Sequence, residues 1–418
     1  AEIGIESVRE RTPMTPFPAP NRLHVWWARR PLVASRAAVL ASILPEGANR
    51  IAFKHALGIH GDPVRSAALI DRAKRTGIRV DDPYGYERAF KYSPSRQEMI
   101  DLAGDNREKT LVLDATAGGG AIPLEAVRLG FSAIGNDLNP IASLLQRASI
   151  EYPRRHGKVL VDEFSSVASD FRTRIGEVLR EYVPQPNAPQ EEATSFLWAR
   201  TVVCPYCAGK VPLSPNWRLA PDGTGVRLTP NICKGPGDEQ RQCSFEIVTS
   251  VQDQSTGTVA GGDGICPFPD CGRPIASDDI KRQALAGSMG DQLFTVVYKR
   301  QTITKTKTGK NKIKWIREFR APTSDDDNQE AVEKLLAEKI PEWEAMDVVP
   351  IERIPEGSKT DEARRFGMNN WRDMFSNRQL LAHGTASEIF RKMLEADREV
   401  GALTEVRAAA YVYLALAL

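Results

Sequence analysis

The segment TLVLDATAGGGAIPLEAVRLGFSAIGNDLNP, Thr110 to Pro140, restricts the fold more than any other stretch. It reads as an apolar strand, a glycine turn, an amphipathic helix closed by Gly130, a second strand and then an acid. That order is a β-α-β unit, which implies parallel strands and an α/β fold. In LVLDATAGGG the strand delivers Asp114 to a turn where Gly118, Gly119 and Gly120 can take positive φ and admit a ligand close to the backbone. A nucleotide-like ligand is implied. A dinucleotide loop would place a third glycine three residues after Gly120, where Pro123 stands, and a Walker A loop would need Gly-Lys-Ser/Thr, which does not follow. Asp137, in IGNDLNP, is positioned for its carboxylate to accept both ribose hydroxyls of an adenosine. The plainer alternative is a glycine-rich strand-to-helix turn with a capping aspartate.

Around this unit the 418 residues, 41% hydrophobic and 26% charged, have room for two or three domains with substantial cores. An amino-terminal helical segment is expected over 1–50, and one half of the α/β core over 51–183. PQPNAPQ marks a linker, taken as 184–200. From 201 to 320 short β-prone runs, turn residues and cysteines indicate an inserted all-β module. Helical periodicity returns over 321–418. No run approaches the eighteen or so apolar residues of a membrane span, and AEIGIESVRERTP has no secretory apolar region, so a cytoplasmic protein with no membrane partner is expected.

Six cysteines in a chain of this size favour metal ligation or inert buried thiols over a disulfide framework. Cys204 and Cys207 form a C-x2-C knuckle in VVCPYCAGK, and Cys266 and Cys271 a C-x4-C pair in ICPFPDCGR. Each pair is followed by a small residue that suits a tight turn around sulfur. Four thiolates make a closed tetrahedral zinc site. Strands expected in VPLSPNWRL, GVRLTP and SFEIVTS would span the long gap between the pairs. Cys233 and Cys243 have no such knuckle and are expected to be plain thiols.

Net charge is only +2, so any nucleic-acid surface must be local. From Lys299 to Arg320 the chain carries nine Lys or Arg and one acid, Glu318. In KIKWIREFR alternation puts Lys312, Lys314 and Arg320 on one face and Ile313, Trp315 and Phe319 on the other, opposite TVVYKRQTIT across the turn KTGKN. Such a basic face tracks phosphates without reading bases. An edge strand guarded by lysines against aggregation has the same pattern.

DATAGGGAIPLEAVRLG followed by NDLNPIA resembles the cofactor motif and adjoining acidic motif of S-adenosylmethionine-dependent amino-methyltransferases. LHVWWARRPLVASRA, CPYC, GTVAGGDGICPFPDC and FGMNNWRDMFSNRQLLA together resemble the zinc-ribbon adenine-specific DNA methylases that begin with a DUF1156 segment. The resemblance implies a Rossmann-like class I methyltransferase core with an inserted all-β zinc-ribbon module and a helical carboxyl-terminal region. It implies S-adenosylmethionine at Asp114, Ala115, Thr116, Gly118, Gly119, Gly120, Asp137 and Leu138, with Zn2+ in the ribbon. Where the family motif reads Asp-Pro-Phe, this chain has Ala115 and Thr116 after Asp114, which loses the aromatic contact. His24, Arg29, Arg30 and Pro31 resemble the family stretch that opens a helix beside the cofactor carboxylate, although Trp26 and Trp27 equally suit a core with surface arginines. Double-stranded DNA, and other proteins of an antiphage defence system, are the partners it implies.

DDPYGY, Asp81 to Tyr86, is close to the Asp-Pro-Pro-Tyr loop that presents an exocyclic amine in this family. It follows RTGIRV, a poor core strand, and precedes the glycine turn, so a surface turn is expected. No Asp/Asn-Pro-Pro-aromatic sequence occurs elsewhere in the chain. With the final helix uncapped at Leu418, the expectation is a catalytic loop lying beyond this sequence. Adenine N6 methylation of DNA is the expected activity, and a catalytically silent DNA-binding subunit the alternative. Trp371, Arg378 and Gln379 are left between substrate contact and packing.

Overall fold

The computed structural model describes residues 1–12, 17–26, 30–104, 109–183, 190–234, 239–305 and 311–418. Arg29 and Trp27, most of PQPNAPQ and the tip of the basic hairpin lie outside the described residues. The chain is mixed α/β. In order, α1 (Glu2–Arg11), α2 (Ala19–Leu23), α3 (Leu32–Ile43), α4 (Arg50–Ala56), α5 (Pro63–Thr76) and α6 (Arg96–Ala103) precede β1 (Leu111–Asp114), α7 (Ala121–Arg128), β2 (Ser132–Gly135), α8 (Pro140–Gln146) and α9 (Tyr152–Leu179). Then come β3 (Glu191–Val203), β4 (Lys210–Leu213), β5 (Gly225–Lys234), β6 (Glu239–Val248), β7 (Val259–Ala260), β8 (Asp263–Ile265), β9 (Pro274–Ile275), α10 (Ser277–Leu285), β10 (Gly290–Lys305) and β11 (Asn311–Arg320). Four helices follow: α11 (Gln329–Ala345), α12 (Asp361–Arg364), α13 (Asn377–Glu399) and α14 (Glu405–Ala417). No helix among the described residues is long and apolar enough to cross a membrane.

Two compact units divide the chain. One comprises 1–172 with 390–418, the other 173–389. In the first, β1 and β2 pair in parallel, Leu111 opposite Ser132 and Asp114 opposite Gly135, with α7 as the crossover. Val33, Val39 and Leu40 of α3 meet Ala126 and Leu129 of α7 and Phe131 in its core. Inside that contact Arg36 and Glu125, both fully buried, are joined at 2.6 Å. Arg36 Nη1 reaches the carbonyls of Leu57 and Ala89 at 3.3 and 3.4 Å, while its buried Nη2 has no hydrogen-bond partner among the described residues. The other face of the strand pair is open, with Leu111, Leu113 and Ile134 at least half exposed.

The second unit is built on a four-stranded antiparallel sheet, β11-β10-β3-β4, with a β5-β6 hairpin and a small β7-β8-β9 sheet. Strand β3 begins at Glu191, within the stretch expected as linker, because Glu191 to Thr201 pair along β10. Around the sheet, Trp217, Val211, Phe268 and Ile275 form one core. A second core gathers Trp343, Val332, Leu336 and Leu381. There Gly384 of α13 lies against the Trp343 indole so closely that a Cβ would sit 2.3 Å from the ring. The β10-β11 ribbon has the expected register, Thr302 opposite Lys314 and Thr304 opposite Lys312. Its apolar face is not buried, however: Ile303 and Ile313 are 72% and 62% exposed, because neither face of the outer half is covered.

Candidate cofactor turn and metal centre

At the carboxyl ends of β1 and β2 the chain folds into a tight turn. Gly118 and Gly120 adopt φ of +54° and +84°, values open to glycine at little cost. The Asp137 carboxylate accepts the Gly118 N–H at 2.8 Å and the Asn139 N–H at 2.9 Å. Those two donors, Asn139 first, hold its pKa below the ordinary carboxylate value. Asp114 accepts the Thr116 N–H through Oδ1, while its buried Oδ2 has no hydrogen-bond partner among the described residues and faces Arg30 Nη1 at 3.8 Å. Ala115 and Thr116 are exposed, and Leu138 is fully exposed. The structure thus gathers Asp114, Gly118, Asp137 and Arg30 at one edge.

Two more groups share this edge: Trp26, buried as the core alternative expected, and Glu10, which the sequence did not single out. Trp26 lies over the turn, its indole Nε1 2.8 Å from where a Gly118 Cβ would be. Glu10, from α1, accepts the N–H groups of Leu32 and Val33 at 2.8 and 3.2 Å. The helix start after Pro31 is therefore capped by the protein's own carboxylate and is not an open anion site. Burial raises the Glu10 pKa, and the two N–H donors only partly offset that. Between Glu10, His24, Trp26, Arg30 and Gly119 remains a cavity of about 40 Å³, room for one or two waters. No sequence spacing links Glu10 to Leu32, so only tertiary packing reveals this cap.

DDPYGY leaves no strand. Asp82 has φ of +40°, Gly85 N–H donates to its carboxylate at 3.3 Å, Arg9 stacks on Tyr84 at 3.8 Å, and Tyr86 donates to Glu6 at 2.6 Å. It is a surface turn clamped onto α1.

In the second unit, the sulfurs of Cys204, Cys207, Cys266 and Cys271 lie within 4.8 Å of one another. Cys204 to Cys271 is 3.8 Å and Cys207 to Cys266 is 3.6 Å. A tetrahedron with Zn–S arms of about 2.3 Å has edges of about 3.8 Å, so the donor set fits zinc. Backbone N–H groups of Gly209, Phe268 and Arg273 donate to Cys207, Cys266 and Cys271, each two residues on; burial outweighs them and raises the Cys207 and Cys266 thiols, whereas the Arg273 N–H lowers Cys271. The two knuckles end in the same way. Ala208 and Gly272 each follow the second cysteine with φ of +54° and +57°, and their N–H groups donate to Cys204 O and Phe268 O, both at 2.9 Å. The fully buried Phe268 ring packs on Gly209, and Arg273 stacks on Tyr206 at 5.0 Å, tying one knuckle to the other. Cys204 and Cys266 are buried, and four sulfur ligands would fill the tetrahedral coordination of a zinc ion. Cys233 is exposed and Cys243 buried, its thiol pushed up to about 12 by burial alone.

On the basic ribbon Lys312 and Lys314 project to solvent. Arg320 does not. Its guanidinium is held by both oxygens of Asp326, at 2.5 and 2.7 Å, and fastens the end of β11 to the following turn. Among the described residues, the exposed basic groups left on the ribbon outside ion pairs are Lys299, Lys305, Lys312, Lys314 and Arg317.

A mixed α/β protein with a four-cysteine centre able to hold zinc is what these elements define. Residues 1–57 match the model of a family described as a protein of unknown function, DUF1156. No curated protein and no solved structure matches the chain.

Proposed function

We propose that this protein is an S-adenosylmethionine-dependent DNA methyltransferase acting on the N6 amine of adenine, with a core of the Rossmann-like class I type and a role in antiphage defence. The observation that supports it most is the turn after β1, where Asp114, Gly118 and Asp137 converge beside a parallel strand pair. When bound, the cofactor supplies an electrophilic methyl group. Asp137 would hold the ribose hydroxyls, with its conformation set by Gly118 and Asn139 N–H. Arg30 would neutralise Asp114 and offer a cation to the cofactor's carboxylate. The zinc centre would brace the β module, and Lys312 and Lys314 would track duplex phosphates.

A second reading is a catalytically silent, DNA-binding subunit of a larger defence complex. Trp26 over the turn and the small size of the adjoining cavity favour it. Calorimetry with S-adenosylmethionine separates the two. The methyltransferase reading expects binding that Asp137→Ala weakens by roughly ten- to a hundredfold, through loss of hydrogen bonds to a charged group. Absence of binding to the wild-type chain leaves the silent subunit.

A further inference from the structure

The second unit contains a cavity of about 590 Å³, separate from the glycine turn and within the roughly 300–1,000 Å³ usual for ligand pockets. Phe196 and Trp198 of β3, Phe294 of β10 and Phe375 before α13 are among its walls, all at least partly exposed. Arg378, in the first turn of α13, lies over Phe196 and Trp198 at 5.3 and 4.8 Å from the ring centres. Its Nη2 donates to the Asp326 carbonyl at 3.2 Å and to Asn328 Oδ1, both neutral acceptors. Its Nη1 is buried and has no hydrogen-bond partner among the described residues.

The other charges on the cavity are already matched. Arg200 is paired with both oxygens of Asp291 at 3.2 Å, and Asp373 accepts the N–H groups of Asn369 and Asn370. The nearby Asp326 carboxylate is committed to Arg320. Burial lowers the Arg378 pKa, and the nearby Asp327 and Asp326 carboxylates only partly offset that. The cavity therefore sets one buried, planar cation with a free donor among the described residues against aromatic walls. A flat, electron-rich ligand that carries acceptors or negative charge complements it.

We infer that this cavity receives one unpaired nucleotide, its base against the aromatic walls and an acceptor or phosphate oxygen at Arg378. The inference rests on the reading that the protein holds nucleic acid. A nucleotide is favoured over an aromatic peptide by what β10 does next. From Phe294 the same strand runs on to Lys299 and Lys305, about 35 Å at the usual strand rise. There Lys299 and Lys305 project from one face of the ribbon and Lys312 and Lys314 of β11 from the other, and none of the four forms an ion pair among the described residues. A polyanion lying along the ribbon brings its next residue to the cavity.

The test uses the whole 418-residue chain and fluorescent DNA of three kinds: single-stranded, the same strand with abasic sites, and duplex. Arg378→Gln and Phe375→Ala are expected to lower affinity for the ordinary single strand about tenfold. Duplex binding and zinc content should stay within about twofold. The abasic strand should bind the wild type weakly and respond to neither variant. Should Arg378→Gln unfold the unit, Phe375→Ala, at a residue 39% exposed, carries the test. Wild-type affinity in Phe375→Ala, or equal binding of abasic and ordinary strands, overturns the inference. If binding then still falls on replacing Lys312 and Lys314 together, only the cavity is refuted. If no DNA binds at all, the nucleic-acid reading falls with it.

Discussion

The glycine turn of the first unit, proposed to hold a cofactor, and the cysteine knuckles of the second, able to hold a metal ion, are both tight backbone turns, yet they differ in how complete they are. Around the knuckles every donor converges. Four sulfurs stand at tetrahedral spacing, three N–H groups point at them, and Phe268 fills the space between the loops. At the glycine turn Gly118 and Gly120 take positive φ, but many donors are already spent: Gly118 N–H on Asp137, the start of α3 on Glu10, the close-approach face on Trp26. One side of β1 and β2 is meanwhile bare. A metal centre needs only its four ligands in place, whereas a cofactor cleft is made by whatever packs around its loop.

The largest expected effect sharpens this contrast. Metal analysis should find one zinc per chain, and Cys266→Ser should release it. Residues 201–280 should then lose hydrogen-exchange protection while β1 and β2 keep theirs, because a closed thiolate site contributes directly to folding. A metal-free preparation with full protection in that span would show that hydrophobic packing alone holds the knuckles.

Next is the first unit, whose integrity is predicted to depend on a buried ion pair and not on a ligand. Glu125→Ala leaves Arg36 charged and fully buried, which should cost about 3–5 kcal/mol in urea unfolding. Zinc content should not change. A loss below about 1 kcal/mol would mean that the carbonyls of Leu57 and Ala89 suffice for Arg36.

The smallest effect compares the two knuckles with each other. Ala208 holds a left-handed conformation that its counterpart Gly272 adopts freely. Ala208→Gly should stabilise the unit by about 0.5–1 kcal/mol, and Gly272→Ala should destabilise it by about 1 kcal/mol, read as opposite shifts in Tm. Shifts of the same sign would show that space around Phe268, not φ, governs these positions.

Much of this was visible along the chain, and the exceptions share a cause. The β-α-β unit, the two knuckles, the strands β5 and β6, the β10-β11 hairpin and the surface turn at DDPYGY follow from periodicity, glycine placement and cysteine spacing, which act over a few residues. Arg320 shows the limit. Strand alternation put it on the basic face, yet Asp326, six residues on, turns back to take its charge. Ile313 and Trp315 alternate as if one face were covered, and alternation cannot say that nothing covers it.

The sequence by itself determined the conformations that near neighbours set: the β-α-β unit, the glycines of positive φ, and which sulfurs can converge. Only the tertiary structure decided how the polar groups are spent. It assigned Glu10 to the start of α3, Arg36 to Glu125, and Trp26 to the glycine turn, and it left Arg378 with an unanswered donor. Turn and helix preferences arise from bonds between near neighbours, whereas the satisfaction of a buried charge depends on partners that chain order does not relate.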